Sequence, residues 1–141
     1  MHAAMPPPPN RGRHHDLDAI LADVRAQFFP DCAAVEICWG RWSGRARARS
    51  IRFGAYLPEA SLIRIHPALD QAFVPRLFVE FIVYHELLHH VIPPVRLNGR
   101  YQIHSPAFRR RERQFPAYAE VVAWRKRFLR RLLASNGRRQ A

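Results

Sequence analysis

Cysteine is scarce in this chain of 141 residues: only Cys32 and Cys38 occur, spaced C-x5-C. That spacing is neither a zinc-knuckle pair nor a CxxC redox motif. Two reduced thiols in a cytoplasmic protein are expected, not a disulfide framework. Lysine is nearly absent, since Lys126 is the one lysine among 23 basic residues. Heavy arginine use follows as readily from a GC-rich genome as from function, so only the charge carries an argument. Acidic residues number 11, which leaves a formal net charge of +12. Such a field attracts nucleic acid or acidic proteins, but a binding surface and a solvated face look alike at this level. A long apolar run is missing too. The longest, residues 78–92, carries Glu80, His85, Glu86, His89 and His90, which excludes a membrane span. The N-terminal MHAAMPPPPNRGRHH has no apolar segment of the signal-peptide kind. No internal repeat is visible.

What the chain does have is FVEFIVYHELLHHVI, with the HExxH pattern at its centre. Residues i and i+4 of a helix stand one above the other, so His85 and His89 can reach one metal ion. Glu86 lies about 100° further round the helix, where it can meet a metal-held water without being a ligand. Catalytic zinc needs neutral imidazoles, an open position and a base beside the water, and this spacing meets all three needs. The segment is apolar nearly all round, which predicts a buried helix. A lone polar group buried there would cost about 2–7 kcal/mol, and a shared metal satisfies both histidines at once.

In chain order, Pro6-Pro7-Pro8-Pro9 predicts a disordered or polyproline tail over residues 1–15, with His14 and His15 as tail residues. Asp16 or Asp18 caps a first helix whose apolar face is Leu17, Ile20, Leu21, Val24 and Phe28. Val35, Ile37 and Trp39 alternate as in a half-buried strand. A turn containing Trp42 follows, then the arginine-rich run Arg45, Arg47, Arg49 and Arg52, which leads into a second strand through Ile51, Phe53 and Ala55. That run can hold phosphates or form the solvent side of an antiparallel ribbon. The turn 58–61 joins it to a third strand, LIRIH, in a hairpin. His66 is expected to cap a strand end. Pro75 suits the start of the HExxH helix and Pro93-Pro94 its end. Residues 95–103 read as a loop turning at Asn98-Gly99. Ser105-Pro106 opens a short helix, and Pro116 restarts a last one with Tyr118, Val121, Val122, Trp124, Phe128, Leu132 and Leu133 as its apolar content.

A catalytic zinc site usually has three protein ligands. The extended metzincin form needs a histidine six residues after His89, where Val95 stands. Three candidates remain. His104 is favoured, fifteen residues after His89 and just before a helix start. Glu112 lies among arginines and is expected to pair with them. Glu120, on an apolar helix, is the better of the two glutamates. Tyr101 can help an oxyanion, although packing is its expected role.

HELLHH, a loop and then HSPAF resembles the SprT-like zincin family, in which HExxH precedes a histidine that opens an H-[GS]-x-x-F helix. Small zinc-dependent domains of the YgjP type carry a similar element. FGAYLPEASLIRIHPAL is similar to the family's G-x-Y turn and I-x-I strand, so the resemblance covers residues 51–115. The four-cysteine ribbon of better-known members has no counterpart here. The resemblance implies zinc held by His85, His89 and His104, with Glu86 as catalytic base in a metallopeptidase. It also implies alignment of a protein or peptide substrate on an edge strand, for which LIRIH is the candidate.

The expected fold is α+β and zincin-like: an N-terminal helix, a three-stranded mostly antiparallel sheet, the HExxH helix and two C-terminal helices. One domain over 16–135 is expected between a tail over 1–15 and a basic tail over 136–141. The rival reading is a basic nucleic-acid-binding module whose zinc is structural and whose arginine clusters meet phosphate. A glutamate at position 86 argues against it.

Overall fold

Helix α1, Leu17–Phe28, begins where Asp16 accepts hydrogen bonds from the backbone N–H groups of Asp18 and Ala19. Leu17, Ile20, Leu21 and Val24 are buried on the face that the apolar spacing predicts. The computed structural model describes residues 10–41 and 52–136. The expected proline tail over 1–9, Trp42, the arginines at 45, 47 and 49, and residues 137–141 lie outside the described residues.

Residues 10–15 do not behave as a tail. The Asp70 carboxylate accepts the backbone N–H groups of Arg13 and His14 at 2.8 Å and of His15 at 3.1 Å. Gly12 permits the approach, since a Cβ there would fall 2.3 Å from Asp70 Oδ2. The His15 ring is buried, and its Nε2–H donates to the Val74 carbonyl (2.9 Å).

Strand β1 is Glu36–Trp39, β2 is Gly54–Leu57 and β3 is Leu62–Ile65. The β2–β3 hairpin forms as the sequence predicts, turning through a 3-10 segment at Pro58–Ala60 and Ser61 in the left-handed region (φ 46°). The sheet corrects two expectations. It is mixed, because β1 pairs with β3 in parallel while β2 pairs with β3 antiparallel. Its order is β1-β3-β2, so among the described residues LIRIH is the central strand and β1 and β2 are the edges.

Helix α2, Arg76–Val91, lacks a side-chain cap at its start. Tertiary burial holds it instead. Phe78, Val79, Val83, Leu87 and Leu88 are at most 1 % exposed, and each such burial contributes about 1.5–3 kcal/mol. The helix stops because Ile92 must be extended before Pro93 (φ −117°, ψ 97°). It packs against α1, β2 and β3, and against two later helices, α3 (Pro106–Arg113) and α4 (Tyr118–Asn136).

The segment expected as a loop is a small hairpin, β4 (Val95–Leu97) and β5 (Arg100–Gln102), exposed on both faces. Asn98 and Gly99 both take positive φ, 51° and 76°, as a tight two-residue hairpin turn requires. Helix α4 buries Val121 and Leu132 and stacks Trp124 on both Phe73 and Phe128. No helix among the described residues is long and apolar enough to cross a membrane.

Candidate metal centre

His85 and His89, one turn apart on α2, bring their Nε2 atoms to 3.3 Å from each other. His104, one residue ahead of the α3 cap, places its Nε2 3.1 Å from that of His89. One ring nitrogen from each of the three lies within 4.8 Å of the other two. A tetrahedral ion with bonds of about 2.0–2.1 Å separates its donors by roughly 3.3 Å, so the cluster has the right span. Its chemistry fits as well. The Glu112 carboxylate can only accept, so Nδ1 of His85 is a protonated nitrogen and Nε2 is the one left to face the centre. Burial, reinforced by His85 and His104, pushes the proton affinity of His89 down to a pKa of about 4. Burial and His85 lower that of His104 too. Neutral imidazoles are what a metal requires. The structure therefore brings together three histidines that can hold a metal ion.

Helix α3 builds the underside. Ser105 caps it, its Oγ accepting the Phe108 N–H at 3.2 Å. Pro106 at the first position fixes the start. Phe108, fully buried, lies 5.1, 4.5 and 4.9 Å from the rings of His85, His89 and His104. One aromatic ring thus positions all three imidazoles. Glu112, one turn beyond Phe108 on the same face, reaches His85. It was expected to pair with arginines, and its position under α2 decides otherwise. Burial pushes its carboxyl up, but the hydrogen bond and charge of His85 outweigh that and hold it below the usual range. Tyr84 pins the end of this helix by donating its hydroxyl to the Arg111 carbonyl at 2.6 Å. Glu120 is exposed on α4 and stands outside the cluster.

Glu86 is 4 % exposed, with Oε2 4.0 Å from His85 Nε2. It is beside the three-nitrogen set and not part of it. Burial raises its proton affinity, and the charges of His85 and Arg52 oppose the rise. Gly54 leaves the room for this carboxylate. A Cβ there would come within 2.9 Å of Glu86 Oε2 and of Ile82 Cγ2.

The cluster opens into a cleft of about 670 Å³ between β2 and the C-terminal half of α2. His90 turns away from the cluster. Its Nε2–H donates to the Ala33 carbonyl (3.0 Å), so Nδ1 accepts the Tyr56 hydroxyl (2.7 Å) and ties edge strand β2 to α2. His66 caps the turn after β3, its Nδ1 accepting the Ala68 N–H. Tyr101 is 68 % exposed beneath the Arg96 guanidinium, and it neither lines the cleft nor joins the core. Sequence reasoning missed the roles of Gly54 and Phe108, and it weighed Glu112 as a metal ligand or an arginine partner, not as the partner of His85. The spacing of Ser105, Phe108 and Glu112 on one helix face was the available signal. Comparison with known proteins adds no identity: neither a protein-family model nor a curated protein matches the chain.

Proposed function

We propose that this chain is a cytoplasmic zinc-dependent metallopeptidase of the SprT-like zincin kind, acting on a protein or peptide substrate. The observation that carries the reading is Glu86, a buried carboxylate beside three convergent imidazoles and outside their donor set. A purely structural site has no use for a carboxylate there. His85, His89 and His104 would hold the ion, and zinc so held supplies a Lewis acid for water and for the peptide carbonyl. Glu86 would take a proton from the attacking water on its carboxylate and pass it to the leaving amine. Its burial suits both halves of that task, because a desolvated carboxylate is a stronger base than an exposed one. Strand β2, not LIRIH, is the edge on which an extended substrate would be aligned by main-chain pairing.

The test compares wild type, Glu86→Gln and His104→Ala, purified without a histidine tag. Wild type should carry one zinc per chain, and His104→Ala should lose most of it. Glu86→Gln should keep zinc and fold while peptide hydrolysis drops by about 10²–10⁴. Full hydrolysis by a clean Glu86→Gln preparation would sink the mechanism.

One observation favours a second reading, a nucleic-acid module with a structural metal. Arg109, Arg110 and Arg113 on α3 and Arg127 and Arg130 on α4 are exposed. Binding through them should weaken steeply as salt is raised, and a flat salt response would dismiss it.

A further inference from the structure

Two arginines line the cleft. Arg52 precedes β2, and Arg125 reaches in from α4. They converge on one short stretch of chain. Arg52 Nε donates to the Gly54 carbonyl at 3.1 Å, and the Arg125 guanidinium carbon lies 5.2 Å from the centre of the Phe53 ring. That ring is itself fixed, being buried and set edge-on against Phe78. Neither arginine forms an ion pair with a carboxylate among the described residues. Two cations thus stand at one end of the cleft with no carboxylate in salt-bridge contact, although Glu86 feels the charge of Arg52, and their remaining N–H groups are open to a planar anion. The other end is different in kind, formed by Tyr56, Pro58, Pro93, Pro94 and Ile103.

The cleft also has a direction. Gly54 lies against Ile82 and Glu86, and Tyr56 against His90, so β2 and α2 run the same way. Antiparallel pairing is the more stable mode of strand addition. A chain paired antiparallel to β2 enters at the apolar end and leaves past the arginines. Its residues on the C-terminal side of the bond at Glu86 then meet Arg52 and Arg125.

We propose that Arg52 and Arg125 form a carboxylate-binding subsite, selecting substrates with an acidic side chain or a chain-terminal carboxylate just C-terminal to the cleaved bond. The direction rests on the peptidase reading; the anion site does not. Selection by charge-assisted hydrogen bonds at such a site should be about tenfold or more.

The test uses three sets of short peptides on the zinc-loaded enzyme. One set is amidated with Asp or Glu at the two positions after the scissile bond. A second is identical but carries Asn or Gln. A third is neutral and ends there in a free carboxylate. The same peptides are titrated against the Glu86→Gln protein by fluorescence anisotropy, which reads affinity without hydrolysis. Carboxylate peptides should be favoured about tenfold in kcat/KM and in affinity. Arg52→Gln and Arg125→Gln should each erode the preference, and Arg125→Glu should move it towards Lys and Arg. The first and third sets tell a side-chain carboxylate from a terminal one. Retained zinc content in each variant controls for folding. Arginine-dependent binding of acidic peptides with no hydrolysis at all would uphold the subsite and remove the peptidase reading. Hydrolysis with equal preference for acidic and amide peptides would overturn the subsite and leave the peptidase reading intact. A short single-stranded oligonucleotide that occupies the arginines, with no discrimination among the peptides, would assign them to phosphate and likewise overturn it.

Discussion

At His85 one ring nitrogen faces the cluster and the other holds the Glu112 carboxylate. The outer partner of a ligating histidine fixes its tautomer and raises its basicity, and losing such a partner typically costs about 10–100-fold in metal affinity. Glu112→Gln keeps an acceptor for Nδ1–H but removes the charge. Zinc affinity, measured by competition with a chromogenic chelator, should fall within that range; an unchanged value would leave Glu112 without an orienting role. His85, Glu86, His89 and His104 were legible in the sequence because i, i+4 spacing and a Ser-Pro helix start are local signals. Glu112 was not. Arg109, Arg110, Arg111 and Arg113 around it promise ion pairs, and only the packing of α3 beneath α2 shows that it faces a histidine instead.

Among the elements, the helices follow their sequence signals closely, since caps, prolines and apolar periods are written within each segment. The sheet does not. Nothing local to LIRIH says that Glu36–Trp39 will lie beside it in parallel, because that pairing joins strands with a whole hairpin arm between them. The segment at residues 10–15 is another long-range effect, created by Asp70 and by the buried His15 ring. Burial lowers the proton affinity of His15 from its ordinary value of 6.5, against the opposing pull of the Val74 carbonyl and Asp70. The unfolded chain therefore takes up this proton first. The stability concerned is fully present above about pH 6.5 and is lost as pH falls towards the lower folded value. Urea midpoints taken between pH 8 and 5 should decline less in His15→Gln, which keeps a donor for the Val74 carbonyl. Identical slopes in the two proteins would exclude His15 as a source of acid sensitivity.

On the scale of the whole molecule, a core running from α1 through β3 and α2 to α4 exists without help from the histidine cluster. A metal held by that cluster would add to this stability and not create it. Ligand linkage gives roughly 2.7 kcal/mol at a hundredfold excess over Kd, which for a chain of this size is a Tm difference on the order of 10 °C. Chelation should lower Tm by about that amount while helical circular dichroism persists at 25 °C, and complete unfolding on chelation would show that the core depends on the ion. The β4–β5 hairpin that joins His89 to His104 has a further use. It is exposed throughout, and a Cβ on Gly99 at its tip meets nothing within 4 Å. A reporter peptide spliced between Asn98 and Gly99 should leave zinc content unchanged, so the hairpin offers the protein engineer an attachment point outside the lining of the cleft.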